Sequence, residues 1–260
     1  MQVDPRRDVT VGLLENTRDL GGYESVDGRR IRWRRLFRAA SLHEVDATDA
    51  TSAAEWRALG LRTVVDLRRE DERATRGVVS RDLQPVGEVH LPAHLVPFYP
   101  ELDMDLEPEE FLAACYEDIL VHGRDAVRSV FRLLADEDNL PLVLFCAAGK
   151  DRTGTMVALI LAALGVATDT ICDDYELSGE RVAAMVRRKR ASGAERDPMI
   201  DQHPTILRAP RGAMRLFLQR LSDETGGIER FLAEIGIDSE TLDRVRDALL
   251  ESPEASLSSR

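Results

Sequence analysis

Residues 141–165 read PLVLFCAAGKDRTGTMVALILAALG, and the change of pattern within them decides the fold. The short apolar run 141–145 suits a buried strand, whereas the longer run 155–164 suits a buried helix. Between them lie Cys146, Ala147, Ala148, Gly149, Lys150, Asp151, Arg152, Thr153 and Gly154. A cysteine at the end of a strand, a tight loop and an arginine at the mouth of a helix form an arrangement for holding an oxyanion. The loop amides and the first helical turn offer unpaired N–H donors and the positive end of a dipole. The same field favours a thiolate at Cys146. Arg152, six positions on, can fork two donors onto a phosphate within reach of that thiolate, and Gly149 and Gly154 permit sharp turns. The sixth residue after Cys115 is Val121 and after Cys172 is Ser178, so only Cys146 has this spacing. The competing reading is a buried, inert cysteine in a βα turn.

At 260 residues with 43% hydrophobic content, the chain is long enough to bury a large core. We expect one domain over 1–260, with a core at about 12–250, loosely attached ends at 1–11 and 251–260, and a lid over 187–210. A net charge of −12 with 32% charged residues argues against nucleic-acid binding. No apolar run approaches a membrane span and residues 1–10 lack a signal-peptide core, so stable membrane insertion is not expected and a cytoplasmic location is the default. The three cysteines are widely separated and the five histidines form no ligand cluster, so we expect no disulfide framework, no metal and no cofactor. Lysine occurs only at positions 150 and 189, which makes Lys150, inside the loop, harder to dismiss as a random surface charge.

Taken in order, the chain opens with a polar loop at 15–23 closed by the pair Gly21-Gly22. Residues 29–38, RRIRWRRLFR, hold six arginines and alternate as a strand would, with Ile31, Trp33 and Phe37 on one side. A helix over 49–59 would be capped by Thr48 and stopped by Gly60. The β-branched run at 61–67 reads as a buried parallel strand ending at Asp66-Leu67-Arg68, and that carboxylate and guanidinium are either site residues or a structural ion pair. Another strand is expected at 88–92, an acidic loop at 97–108, and helices at 109–121 and 124–135, with Cys115 in the first helix's apolar stripe. Residues 168–190 read as a helix, 191–210 as an exposed loop or lid, and 212–221, 227–235 and 239–250 as closing helices.

The loop from Cys146 to Arg152 resembles the phosphate-binding loop of cysteine-dependent protein tyrosine phosphatases, and AGKDRTG resembles a bacterial branch of that family. Further likenesses are Asn16-x-Arg18-Asp19-Leu20-Gly21-Gly22, Leu36-Phe37-Arg38-Ala39-Ala40, Asp66-Leu67-Arg68, and the spacing of glycines and apolar residues at 226–237. The resemblance runs from about 14 to 238 and implies an α/β fold, a central mostly parallel sheet flanked by helices with extra lid and C-terminal helices. It implies hydrolysis of a phosphate monoester, first of all phosphotyrosine in proteins, through a cysteinyl-phosphate, with Cys146 as nucleophile. Arg152 and the loop amides from Ala147 to Thr153 would bind the phosphate, with Ala147, Ala148, Gly149, Lys150, Thr153 and Gly154 as the phosphate-binding residues. Arg18 and Asp19 would brace the loops, and Arg38 would lie near the site. The Thr153 hydroxyl would bond the sulfur. The resemblance suggests Asp151 as general acid, whereas the cations on either side of it favour its ionised form; Asp66 is the second choice, and Asp103 and Asp105 follow. Where the family has His before the cysteine this chain has Phe145. That departure keeps open a phosphate-recognising binding module without turnover, and the family's range keeps open a dual-specificity or phosphoinositide phosphatase. An arsenate reductase would need resolving cysteines near Cys146.

Overall fold

The computed structural model describes residues 4–83, 88–92, 106–193 and 204–251. Among the described residues, five strands form one sheet: β1 (Arg18–Asp19), β2 (Leu36–Ala40), β3 (Thr63–Asp66), β4 (Glu88–His90) and β5 (Leu142–Cys146), in spatial order β1-β2-β5-β3-β4. β5 lies at the centre and pairs in parallel with β2 and β3. β4 extends the parallel set, and β1 closes one edge antiparallel to β2. This is the α/β arrangement with a mostly parallel central sheet that the sequence suggested.

The helices are α1 (Ala50–Ala58), α2 (Glu70–Arg76), α3 (Pro108–His122), α4 (Arg124–Leu134), α5 (Asp151–Ala163), α6 (Thr168–Ala191), α7 (Arg211–Thr225), α8 (Ile228–Glu234) and α9 (Ser239–Leu249). Strand alternation sends side chains to two cores. From β5, Leu142, Leu144 and Cys146 join the larger core, built chiefly by α3, α4, α5 and α7–α9, while Val143 and Phe145 join a smaller one with Trp56 of α1. Phe145 therefore points to the sheet face opposite Cys146. All of β5 is buried, which explains why its sequence is continuously apolar instead of alternating.

Several expectations need correction. Residues 29–38 do not form one strand: Arg34 adopts a positive φ of 60° and breaks the run. Ile31 packs in the larger core and Phe37 in the smaller. The cap of α1 is Asp49, whose carboxylate accepts from the Ser52 N–H, and not Thr48; Gly60, at φ 64°, does terminate it. The N-terminal segment is anchored from residue 7, with Arg7 buried 3.4 Å over the Tyr23 ring and Val11 also buried. Of the expected lid, 187–191 belongs to α6, 190–193 are exposed, 194–203 lie outside the described residues, and Ala209 is buried. Asp103, Asp105 and most of the acidic loop also lie outside the described residues. Among the described residues, no helix is long and apolar enough to cross a membrane.

Candidate active site

β5 ends at Cys146, the chain turns through 147–150, and α5 starts at Asp151. The turn depends on Gly149: its φ is 64°, and a Cβ there would meet the Ala39 carbonyl oxygen at 2.4 Å. Gly154 has another reason to be glycine. It lies inside α5, where a Cβ would come within 3.2 Å of the Tyr175 ring, so it admits a neighbour and makes no turn.

Each loop carbonyl is held from outside. The Ser41 hydroxyl donates to Ala147 O at 2.7 Å, the Asn16 amide donates to Ala148 O at 2.9 Å and to Gly149 O at 3.0 Å, and Arg38 donates to Gly149 O at 2.7 Å. Pulling the carbonyls outward leaves the amides unused: among the described residues, none of the main-chain N–H groups from 147 to 153 donates to a protein acceptor. With the N-terminus of α5 behind them, they form a ready anion cradle. Among the described residues, two buried side-chain atoms also lack partners there, Arg152 Nε and Thr153 Oγ1.

Behind the loop sits a buried charge cluster set by sheet register. Antiparallel pairing places Arg18 opposite Arg38, a repulsive cross-strand pair. Asp174 of α6 lies between them, 2.8 Å from Arg18 Nε and 2.5 Å from Arg38 Nη1, and accepts from the Tyr23 hydroxyl at 3.0 Å. Burial works against its charge, but the two guanidiniums hold its carboxyl well below the ordinary range. Ser178, one turn on, is bonded by both arginines, and Arg18 also donates to Asn16 Oδ1 at 2.6 Å. Arg18 thus braces the loop through Asn16. Asp19 does not touch it: that carboxylate accepts from the N–H groups of Gly21 and Arg34, and burial raises its pKa.

Arg152 is 5% exposed and grips Glu72 of α2 with both terminal nitrogens, Nη2 to Oε1 at 2.9 Å. Desolvation opposes the arginine's charge, yet the Glu72 hydrogen bond and the carboxylate and thiol nearby raise its pKa further. Burial likewise pushes Glu72 up, but Arg152 outweighs it and holds the carboxyl at about 2. The guanidinium is thereby locked at its terminal end, while Nε stays free.

The Lys150 side chain is engaged within the protein: its buried ammonium lies 2.7 Å from Asp151 Oδ1 and donates to Arg208 O at 2.9 Å. Its main-chain N–H remains part of the cradle. Asp66 is also committed elsewhere. It is fully buried, 2.7 Å from Arg68 and 3.1 Å from Arg73, so the structural ion-pair reading holds for it. Arg68 stacks over Phe145, 5.1 Å from the ring centroid, which shows how an aromatic ring is accommodated at that position. Cys115 and Cys172 are buried core thiols whose pKa values burial raises, Cys172 to about 11.

Glu72, Asp174, Ser178 and Ser41 were not singled out in the sequence. For Asp174 a signal exists: it falls on the buried stripe of α6 with Ile171, Tyr175, Ser178 and Val182, and a carboxylate on such a stripe needs a buried partner. Glu72 is one of three consecutive acids at 70–72, and nothing local separates it from the other two.

Cys146 thus opens a loop whose amides from 147 to 153 have no protein acceptor among the described residues, with the Arg152 guanidinium held by Glu72 at the loop's far end. The family model described as the tyrosine phosphatase family matches residues 9–251, and the chain belongs to that family. A Cupriavidus necator protein provisionally named a tyrosine-protein phosphatase is 32% identical over 186 residues, covering 70% of this chain and 66% of its own. The triple specificity protein phosphatase PtpB of Mycobacterium tuberculosis is 26% identical over 261 residues, covering 83% of this chain and 91% of its own. Among solved structures, P. aeruginosa TpbA aligns over 67% of this chain and 91% of its own, at 19% identity and a TM-score of 0.30.

Proposed function

We propose that the chain is a single phosphatase domain that hydrolyses phosphotyrosine in proteins through a cysteinyl-phosphate on Cys146. The observation that carries this reading is the set of donors in one short loop that have no protein partner among the described residues: the N–H groups of 147–153, Arg152 Nε and Thr153 Oγ1. Such a set suits the equatorial oxygens of a phosphoryl group and the charge that builds on them in transfer. The Cys146 thiolate attacks phosphorus and the S–P bond forms as the P–O bond to the leaving oxygen breaks. Asp151, at the first turn of α5, gives that oxygen its proton and then takes one from the water that cleaves the S–P bond. The Thr153 hydroxyl stabilises the departing sulfur. These steps use protein donors for all the positive charge.

Hydrolysis of para-nitrophenyl phosphate, abolished in Cys146→Ser, tests the reading. A wild-type protein that binds phosphotyrosine peptide without turning it over would instead make it a binding module. Assay of phosphotyrosine, phosphoserine and phosphothreonine peptides and of phosphoinositides in parallel tests the substrate class, because one relative is named for triple specificity. Phosphotyrosine is expected to be the fastest.

A further inference from the structure

Asp151 is held on one side only. Its Oδ1 receives the Lys150 ammonium at 2.7 Å and the Tyr116 hydroxyl of α3 at 3.2 Å, whereas Oδ2 has no protein partner among the described residues. The Tyr116 oxygen is in turn hydrogen-bonded to the Tyr175 hydroxyl of α6. A phenol has one proton, so a Tyr116 that donates to Asp151 must accept from Tyr175. Both phenols are buried, and burial raises both pKa values, that of Tyr175 to about 12, so each keeps its proton at neutral pH. Their rings meet edge to face at 5.7 Å, and Tyr116 makes a second edge contact with Phe217 of α7 at 6.1 Å. Neither ring can turn without disturbing the larger core. The missing side chain at Gly154 belongs to the same device, since it is there that the Tyr175 ring closes on α5.

We propose that Tyr116, oriented by Tyr175, is a positioning residue that fixes Oδ1 of Asp151 so that Oδ2 faces the leaving oxygen. The inference rests on the reading of Asp151 as the general acid. The step is the one given above: the proton on Oδ2 passes to the leaving oxygen as the P–O bond breaks and the S–P bond forms. Lys150, Arg152 and the Cys115 thiol are the other ionisable groups around this carboxyl; Lys150 holds the same Oδ1, and Tyr116 adds a second contact to it from a ring fixed by Tyr175 and Phe217. The arrangement explains why a chain would place a glycine inside α5, where it weakens a helix by about 1 kcal/mol relative to alanine.

The test is the dependence of kcat on leaving group across aryl phosphates, from para-nitrophenyl phosphate to phenyl phosphate, which needs the acid more. Asp151→Asn should slow phenyl phosphate about a hundredfold and the nitrophenyl ester much less. Tyr116→Phe should slow phenyl phosphate about tenfold, leave the nitrophenyl ester within about twofold and leave KM unchanged. In the Asp151→Asn background it should add nothing. Equal slowing of both esters by Tyr116→Phe, or a further loss on top of Asp151→Asn, overturns the inference. So does an Asp151→Asn enzyme with a steeper leaving-group dependence beside a Tyr116→Phe enzyme whose dependence is that of the wild type. An Asp151→Asn enzyme with wild-type leaving-group dependence overturns the acid assignment itself, and the inference with it. If Tyr116→Phe does not fold, Tyr175→Phe carries the test: a selective loss of about threefold supports the inference and no selective loss overturns it.

Discussion

Asp174→Asn removes the carboxylate that Arg18 and Arg38 share while keeping its volume. In the native protein the side chain is 1% exposed and both guanidiniums are fully buried. The substitution therefore leaves two buried cations facing each other across β1 and β2 with no counter-ion. Breaking a buried pair in this way costs about 3–5 kcal/mol. Asn still accepts one hydrogen bond, so the lower end of that range is expected. With about 2–4 °C lost per kcal/mol for a chain of this size, the melting temperature should fall by roughly 6–12 °C. Function should fall as well, because Arg38 holds the Gly149 carbonyl away from the cradle. A loop amide displaced by a fraction of an ångström should lower kcat/KM roughly tenfold, with weaker inhibition by inorganic phosphate. Differential scanning calorimetry and para-nitrophenyl phosphate kinetics measure the two effects. A melting temperature within about 2 °C of wild type, or a destabilised enzyme with full phosphate affinity, refutes the idea that this cluster supports the loop.

Two further substitutions separate the remaining contributions. Glu72→Gln frees one end of Arg152 and should lower kcat/KM on the order of tenfold without moving Cys146. It should also alter acid stability in a stated direction. The Glu72 carboxyl is depressed from 4.5 to about 2 on folding, so its contribution is complete above pH 4.5 and is lost as pH falls toward 2. Between about pH 5 and pH 3 the wild type should therefore lose about 2 kcal/mol more than Glu72→Gln in urea unfolding, and parallel losses would count against the ion pair. Thr153→Val removes a hydroxyl that is buried without a partner, so stability should stay within about 0.5 kcal/mol of wild type or rise. Breakdown of the phosphoenzyme should slow, seen as a pre-steady-state burst of nitrophenol. A destabilised Thr153→Val enzyme with unchanged turnover would mean that the hydroxyl serves the fold instead of the sulfur.

What the sequence disclosed follows the range of the interactions involved. Cys146, Arg152 and Gly149 lie within one strand–loop–helix, and local pattern was enough to find them. Asn16, Arg18 and Arg38 were found only through resemblance, because their contacts with the loop and α6 span more than a hundred residues of chain. The partners that complete the site were hidden. Glu72 approaches Arg152 from a short helix as the last of three consecutive acids, and Tyr116 and Tyr175 lie on the buried stripes of α3 and α6, where nothing local marks them out. The strand expected at 29–38 failed at a single residue: Arg34 turns at positive φ, where its N–H bonds Asp19 Oδ2 at 2.7 Å, and alternation of apolar residues cannot report such a turn. The place of Lys150 in the loop speaks for its amide and says nothing of where its side chain goes. Its side chain turns back into the protein toward Arg208 O, a contact that only the packing of the segment before α7 creates.

The most direct measurement is to mix the enzyme with para-nitrophenyl phosphate, quench it in acid within the first turnovers, and determine the intact and peptide masses. One phosphoryl group on the peptide containing Cys146, absent from Cys146→Ser and longer-lived in Thr153→Val, is the predicted result. Turnover with no phosphoryl group on that peptide, or undiminished turnover in Cys146→Ser, would contradict it.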